Sequence, residues 1–348
     1  MNIISIVGAR PQFIKLAPLS KKIREFCNEI IVHTGQHYDS EMSGDIFRDL
    51  NIPNPDYNLD INNGSHGEQT GRMMIELEKV LKKHSPVLVI VFGDTNSTLA
   101  GSLVASKLKI KIVHVESGLR SFNNEMPEEI NRIVSDHTSN YLFAPTQNAM
   151  ENLKNEGLSD ISYLTGDIMV ESMAENIKRA KKLSNIKDKL KIKSEYFLLT
   201  LHRPYNVDDS EKLKIILNNL NNLEIPIIFP VHPRTQQNIS KNNIQYSNVV
   251  FSKPLGYIDF LSLLSGAKKI ITDSGGIQKE AYLRKKPCIT IRPETEWIET
   301  VEDGWNILCD PLSLDFIDKI DSFNPTNPQS DIFGKNVATK MSEIIKKI

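Results

Sequence analysis

Three carboxylates stand at positions where acid–base chemistry is commonly built. Asp94 lies in Gly93-Asp94-Thr95-Asn96, Glu116 in Glu116-Ser117-Gly118-Leu119-Arg120, and Glu128 in Met126-Pro127-Glu128-Glu129. Each follows a β-branched run or opens a helical stretch. Read singly, each has a structural role: Asp94 as the cap of the next helix, Glu116 as a charged loop residue, Glu128 as a match for a helix dipole. Read together, they place three carboxylates along one edge of one sheet. Crowded like charges raise the pKa of some members, which suits proton transfer near neutral pH.

A second set of residues suits an anion. Gly8-Ala9-Arg10-Pro11-Gln12 follows the first apolar run, with Lys15 one turn further on. Free N–H groups at this helix start, with Arg10 and Lys15, would hold phosphate. In the second half, Leu201-His202-Arg203-Pro204 and Val231-His232-Pro233-Arg234 end apolar runs in the same manner. Thr272-Asp273-Ser274-Gly275-Gly276-Ile277-Gln278-Lys279-Glu280 joins a strand to a helix through bare glycines. Ser274, Gly275 and Gly276 would cradle a diphosphate, and Glu280 would accept both hydroxyls of a ribose. None of these is the six-spaced dinucleotide fingerprint or a Walker loop. The whole pattern predicts a nucleoside-diphosphate ligand held in a cleft, with acid–base groups on one wall.

The elements that must position these groups alternate along the chain. Strand-like runs fall at 2–7, 29–34, 87–92, 110–115 and 140–144, with amphipathic helices at 12–26, 67–83, 95–108 and 128–137. Near-continuous apolar strands separated by helices predict a parallel sheet covered on both faces. The alternation pauses at 172–195 and restarts with runs at 196–201, 225–231, 248–251, 269–272 and 287–291. The predicted organisation is an α/β domain at 1–171, a helix plus linker at 172–195, a second α/β domain at 196–330 and a last helix within 331–348. At roughly 100–200 residues per domain, 348 residues agree with two. Ligands of open α/β sheets sit at the carboxyl ends of strands, where the residues above cluster.

Composition bounds the function classes. With 42 basic and 43 acidic residues the net charge is −1, which gives no general attraction to nucleic acid or anionic membrane. The three cysteines, Cys27, Cys288 and Cys309, have no metal-ligand spacing and suggest a reducing compartment. MNIISIVGARPQ lacks the features of a signal peptide, and no apolar run nears the ~18–20 residues of a membrane span. The expectation is a cytoplasmic protein with no membrane or nucleic-acid partner.

The segments GARPQFIK, TGQHYD, GDTNSTLAGSLVASK, HVESGLRS, MPEEINR, HRP, HPRT and TDSGGIQKEA run in this order across nearly the whole chain. The ordered set closely resembles the non-hydrolysing UDP-N-acetylglucosamine 2-epimerases. That resemblance implies a GT-B fold, two Rossmann-like doubly wound domains facing across a cleft. It implies that Asp94, Glu116 and Glu128 are the catalytic carboxylates, and that His202 is an active-site histidine near the diphosphate. It assigns Arg10 and Lys15 to the phosphate loop, Ser274, Gly275 and Gly276 to the diphosphate, Glu280 to the ribose and Phe260 to the uracil-contacting segment. It implies a homodimer, a small-molecule UDP-sugar substrate, no cofactor and no metal, a last helix that returns to the first domain, and a role in making precursors of cell-surface polysaccharide.

The implied reaction is elimination and re-addition. A carboxylate takes the C2 proton as UDP leaves C1, giving a 2-acetamidoglucal; reprotonation from the other face and return of UDP invert C2. Two proton-transfer groups are needed, and no redox cofactor is. Gln12 stands where many members carry Glu, and HRPYNVDD and PETEWIE depart from their forms of those segments. GARPQFIK, HGEQTGRM and SGGIQKEA read most like the branch acting on UDP-2,3-diacetamido-2,3-dideoxyglucuronate. Other readings are a GT-B glycosyltransferase, a non-catalytic nucleotide-sugar sensor and a hydrolysing epimerase.

Overall fold

The structure, a computed structural model, describes residues 2–36, 47, 50, 52–231, 233–240 and 246–348. The chain forms two units, Met1–Ala174 with Asp331–Ile348, and Glu175–Ser330.

In the first unit the strands are β1 (Asn2–Val7), β2 (Asn28–His33), β3 (Tyr57–Asn58), β4 (Leu88–Phe92), β5 (Lys111–Val115), β6 (Tyr141–Ala144) and β7 (Ser162–Leu164). β1 reads NIISIV and β4 reads LVIVF, and the two bury nearly every side chain. A strand buried on both faces needs cover on both faces, which parallel crossovers supply. All pairings are parallel, in the order β3-β2-β1-β4-β5-β6-β7. The order reverses between β1 and β4, so the loops after β1, β4 and β5 gather at the switch point, where open α/β sheets bind ligands.

Helices α1 (Arg10–Ile23), α2 (His66–His84), α3 (Asn96–Lys107), α4 (Pro127–Thr138) and α5 (Met169–Leu183) follow. Pro11 sits in the first turn of α1, where a missing N–H costs nothing. The Thr95 side chain accepts from Thr98 N and caps α3. The cap is therefore Thr95, and Asp94 is released from the structural role open to it. Ile4, Ile6, Val89, Val91, Met73, Leu77 and Ala100 share one apolar cluster that fastens α2 and α3 to the sheet. The closing helix, Val337–Ile345, belongs to this unit, and the Lys346 ammonium lies 4.9 Å from the Phe26 ring centroid.

The second unit holds β8 (Phe197–Thr200), β9 (Ile227–Pro230), β10 (Val249–Ser252), β11 (Lys269–Thr272), β12 (Cys288–Thr290) and β13 (Asn306–Leu308). They form a parallel sheet in the order β10-β9-β8-β11-β12-β13. Here the reversal lies between β8 and β11, so His202 and Ser274–Gly276 follow the two switch-point strands. Helices α6 (Tyr257–Gly266) and α7 (Gly275–Leu283) flank β11 in sequence. Phe260 of α6 packs into a buried cluster with Tyr196, Leu198, Leu263 and Ile270.

The stretch 172–195 holds a helix, as α5 continues to Leu183, and the boundary between the units falls inside it, after Ala174. Three short strands add to those expected. β3, β7 and β13 are two or three residues long and carry no fully buried run to mark them. Among the described residues no helix is long and apolar enough to cross a membrane.

Candidate active site

The first unit places its acidic groups around Gly93. This residue follows β4 in the left-handed region, at φ 63°. A Cβ there would lie 3.1 Å from Lys15 Nζ and 3.6 Å from Glu116 Oε1. Lys15 and Glu116 form a largely buried ion pair at 2.5 Å. Glu116 itself has φ 70°, a conformation that costs a non-glycine residue energy and concentrates at functional sites. The adjacent N–H groups of Glu116 and Ser117 both donate to Phe143 O, at 3.1 Å each, which holds the turn.

Asp94 follows Gly93. Its Oδ2 accepts from Arg132 Nε at 3.0 Å and from Nη2 at 2.6 Å. Arg132 also donates from Nη1 to Glu129 Oε2 at 2.7 Å. Glu129, buried in the first turn of α4, accepts from the backbone of Ser121 and Phe122. Burial opposes its ionisation, but those N–H groups and Arg132 outweigh it and hold the Glu129 carboxyl below its ordinary range. Asn131 Nδ2 donates to Asp94 O at 2.9 Å. Glu128 is half-buried at the same helix start. The like-charge crowding expected from the sequence is thus replaced by pairing: Glu116 meets Lys15 and Asp94 meets Arg132. The sequence offers no role for Arg132 or Glu129, because what places them beside Asp94 is a fold contact spanning 38 residues.

The β1–α1 turn differs from expectation in one respect. Its N–H groups are not free for an anion: Gln12 Oε1 accepts from Gly8 N at 2.7 Å and from Ala9 N at 3.0 Å. Gln12 Nε2 then donates to Phe92 O at 2.7 Å and to Thr98 Oγ1 at 3.0 Å. Gln12 is a clasp between the ends of β1 and β4. Arg10 is half-buried at the first position of α1.

In the second unit Asp273, wholly buried, is the organising residue. Its carboxylate accepts from the N–H groups of His202 (3.1 Å) and Arg203 (3.0 Å) and from Asn206 Nδ2 (3.1 Å). His202 Nδ1 lies 3.0 Å from Asp273 Oδ1, while about half of the His202 side chain is exposed. Burial works against the charge on Asp273, yet His202 and these donors prevail and keep its pKa below the ordinary carboxyl value. The carboxylate at Nδ1 fixes the orientation of the ring and leaves Nε2 as the nitrogen available to a ligand. In the sequence Asp273 is visible only as part of TDSGG, without this role.

Ser274 N donates to Thr272 Oγ1 at 3.0 Å, and no side chain caps α7. A Cβ on Gly275 would fall 2.0 Å from Glu296 Oε1, whereas one on Gly276 would meet only Ser274 Oγ, at 4.0 Å. Gly275 is thus required by the Glu296 carboxylate, and Gly276 leaves its backbone open to approach. Glu280 is buried in the same helix. Phe260 is buried in the core described above, in a cluster that also holds Ala281 of α7. Residues 37–39 of TGQHYD and His232 of HPRT lie outside the described residues. Among the described residues no group of three or more His, Cys, Asp or Glu is arranged to hold a metal ion.

A family model described as UDP-N-acetylglucosamine 2-epimerase matches residues 21–346. The chain belongs to the UDP-N-acetylglucosamine 2-epimerase family. It is 50% identical, over all of both chains, to a UDP-N-acetylglucosamine 2-epimerase homolog of Methanococcus maripaludis. It is 47% identical, over 88% of each, to the UDP-2,3-diacetamido-2,3-dideoxy-D-glucuronate 2-epimerase of Pseudomonas aeruginosa. The crystal structure of Methanocaldococcus jannaschii UDP-GlcNAc 2-epimerase, in complex with UDP-GlcNAc and UDP, matches over all of both chains with TM-score 0.93 and 42% identity. The two parallel α/β sheets of this family member are those of the GT-B class.

Proposed function

We propose that this family member is an epimerase of UDP-sugars that inverts C2 of a UDP-N-acetylhexosamine, UDP-GlcNAc to UDP-ManNAc. The observation that carries the reading is the pair of ion-paired carboxylates at Gly93, Lys15–Glu116 and Arg132–Asp94. One group must take the C2 proton from one face and another must return it on the opposite face. Asp94, Glu116 and Glu128 are the residues for those transfers. As the C2 proton leaves, the C1–O bond breaks with its electron pair going to UDP, and the ring is left as a 2-acetamidoglucal. Protonation at C2 and attack of UDP oxygen at C1 then regenerate a UDP-sugar. Donors aimed at developing phosphate charge stabilise that departure; His202, Arg10 and Lys15 are assigned this work. Ser274, Gly275 and Gly276 take the diphosphate, Glu280 the ribose, and the Phe260 segment the uracil.

A second substrate, UDP-2,3-diacetamido-2,3-dideoxyglucuronate, is favoured by the Pseudomonas relative at 47% identity. The same C2 chemistry serves both sugars. The enzyme is proposed to act in the cytoplasm as a homodimer, supplying precursors of cell-surface polysaccharide. Proton NMR of the enzyme with each UDP-sugar tests the reading. The expected result is a second anomeric signal from the C2 epimer, still attached to UDP. Release of free N-acetylmannosamine, or transfer of the sugar to an added acceptor without epimer, would replace it with a hydrolysing epimerase or a glycosyltransferase.

A further inference from the structure

We infer that His114 is a doubly protonated positioning residue that, with Asp136 and Arg120, sets the spacing of the two loops bearing Asp94 and Glu116. The inference deepens the proposed function and rests on its reading of those two carboxylates. His114 lies in β5 and is wholly buried, as is Asp136 of α4. Burying an imidazole is unfavourable unless both nitrogens are satisfied. His114 Nε2 stands 2.7 Å from Gly93 O, and Nδ1 stands 2.7 Å from Asp136 Oδ1. A carbonyl oxygen only accepts, so Nε2 carries hydrogen.

The second proton follows from the surroundings of Asp136. Its Oδ2 accepts from Gly118 N at 3.0 Å and lies 2.8 Å from Arg120 Nη2, both of them donors. A neutral Asp136 would have to carry its proton on Oδ1, facing Nδ1, beside a buried guanidinium that favours the carboxylate. The ionised form leaves Nδ1 as the donor, and His114 is an imidazolium. Burial disfavours the charge on Asp136, but His114 and Arg120 overcome it and lower its pKa. Arg120 is in turn held by Glu156 through two bonds of 2.7 Å. Two cations and two carboxylates thus face one another, buried except at Glu156, which is partly exposed and also meets His137 Nε2 at 3.2 Å.

The set grips backbone at two places. Gly93 O belongs to the turn that delivers Asp94, and Gly118 N to the turn that delivers Glu116 in its left-handed conformation. One end of the network therefore fixes one carboxylate loop and the other end fixes its neighbour. Proton transfer depends steeply on such placement: a 1 Å error costs about 10²-fold.

Three measurements test this. Imidazole 15N NMR of the wild-type enzyme at pH 7 is expected to show both His114 nitrogens protonated; one bare nitrogen overturns the charge assignment whether or not the enzyme epimerises. His114→Gln keeps a donor toward Gly93 O but loses the bond to Asp136. Its expected effect is a fall in kcat of about 10²-fold, with KM and UDP affinity within about threefold of wild type. Asp136→Asn can preserve every bond if the new amide donates to a neutral His114, and is expected to keep kcat within about tenfold. A folded His114→Gln with wild-type kcat, or an Asp136→Asn as impaired as His114→Gln, overturns the positioning role. If His114→Gln does not fold, the NMR result and the Asp136→Asn kinetics decide. Wild-type enzyme that exchanges no C2 hydrogen with either UDP-sugar defeats the functional reading instead, and leaves the NMR assignment standing.

Discussion

Gly93→Ala separates backbone strain from disruption of the acid–base centre. Gly93 has φ 63°, and an alanine held there costs roughly 1–2 kcal/mol. For a unit of this size each kcal/mol lowers Tm by about 2–4 °C, so the melting transition should fall by about 2–8 °C. The new methyl would also lie 3.1 Å from Lys15 Nζ, tighter than an ordinary contact, so the Lys15–Glu116 pair must shift by some tenths of an ångström. A displacement of that size is expected to reduce kcat about tenfold or more, given the steep dependence of reacting groups on geometry. Gly157→Ala is the control. Its φ is 77° and nothing lies within 4 Å of its Cβ position, so it bears the backbone cost without touching the pair. Differential scanning calorimetry and steady-state epimerisation on both variants give the answer. Equal thermal losses with impaired turnover only in Gly93→Ala are expected. Unimpaired turnover in Gly93→Ala, or equal impairment in Gly157→Ala, would refute the reasoning.

Other outcomes follow from the same geometry. Arg132→Met leaves the buried Glu129 and the half-buried Asp94 without their shared cation, and urea unfolding should show a loss of about 3–5 kcal/mol; a loss under about 1 kcal/mol, the range of exposed pairs, would contradict the pairing. Gly275→Ala forces Glu296, which is held 2.9 Å from Arg292, off the start of α7, and calorimetry should find UDP bound at least about tenfold more weakly; unchanged affinity would remove this turn from the diphosphate site. Burial beside Phe13 pushes the His33 imidazole down to about 4 from 6.5. The unfolded chain then takes up this proton first, so stability is present at neutral pH and falls as pH drops from 6.5 toward 4, by about 2 kcal/mol at pH 5. His33→Leu should lack that part of the pH dependence in urea unfolding at about pH 7 and pH 5, and an identical slope in both proteins would rule it out.

What the sequence disclosed depended on how local each signal is. β1, β4 and β5 announce themselves as buried apolar runs, and Gly93-Asp94 and Glu116 are conspicuous because polarity begins abruptly where β4 and β5 end. The short strands β3, β7 and β13 draw their identity from neighbouring strands and leave no pattern of their own. Residue type misleads at Asp94, where the adjacent Thr95 takes the capping role, and at the β1–α1 turn, where Gln12 consumes the N–H groups an anion would use. Phe260, which the resemblance places in the uracil-contacting segment, has its side chain in the apolar core. Arg132, His114, Asp136 and Asp273 depend on partners 18–71 residues away, a pairing that only the fold can create.

The central claim is that carboxylates of the first unit move the C2 proton of a UDP-sugar. Incubation in heavy water with UDP-GlcNAc and, separately, with the diacetamido uronate tests it most directly, with deuterium at C2 read by mass spectrometry. At least one sugar should gain one deuterium at C2, both in recovered substrate and in its epimer, and Asp94→Asn or Glu116→Gln should abolish the gain while the protein stays folded. No deuterium in either sugar, or full incorporation in both variants, would contradict the account.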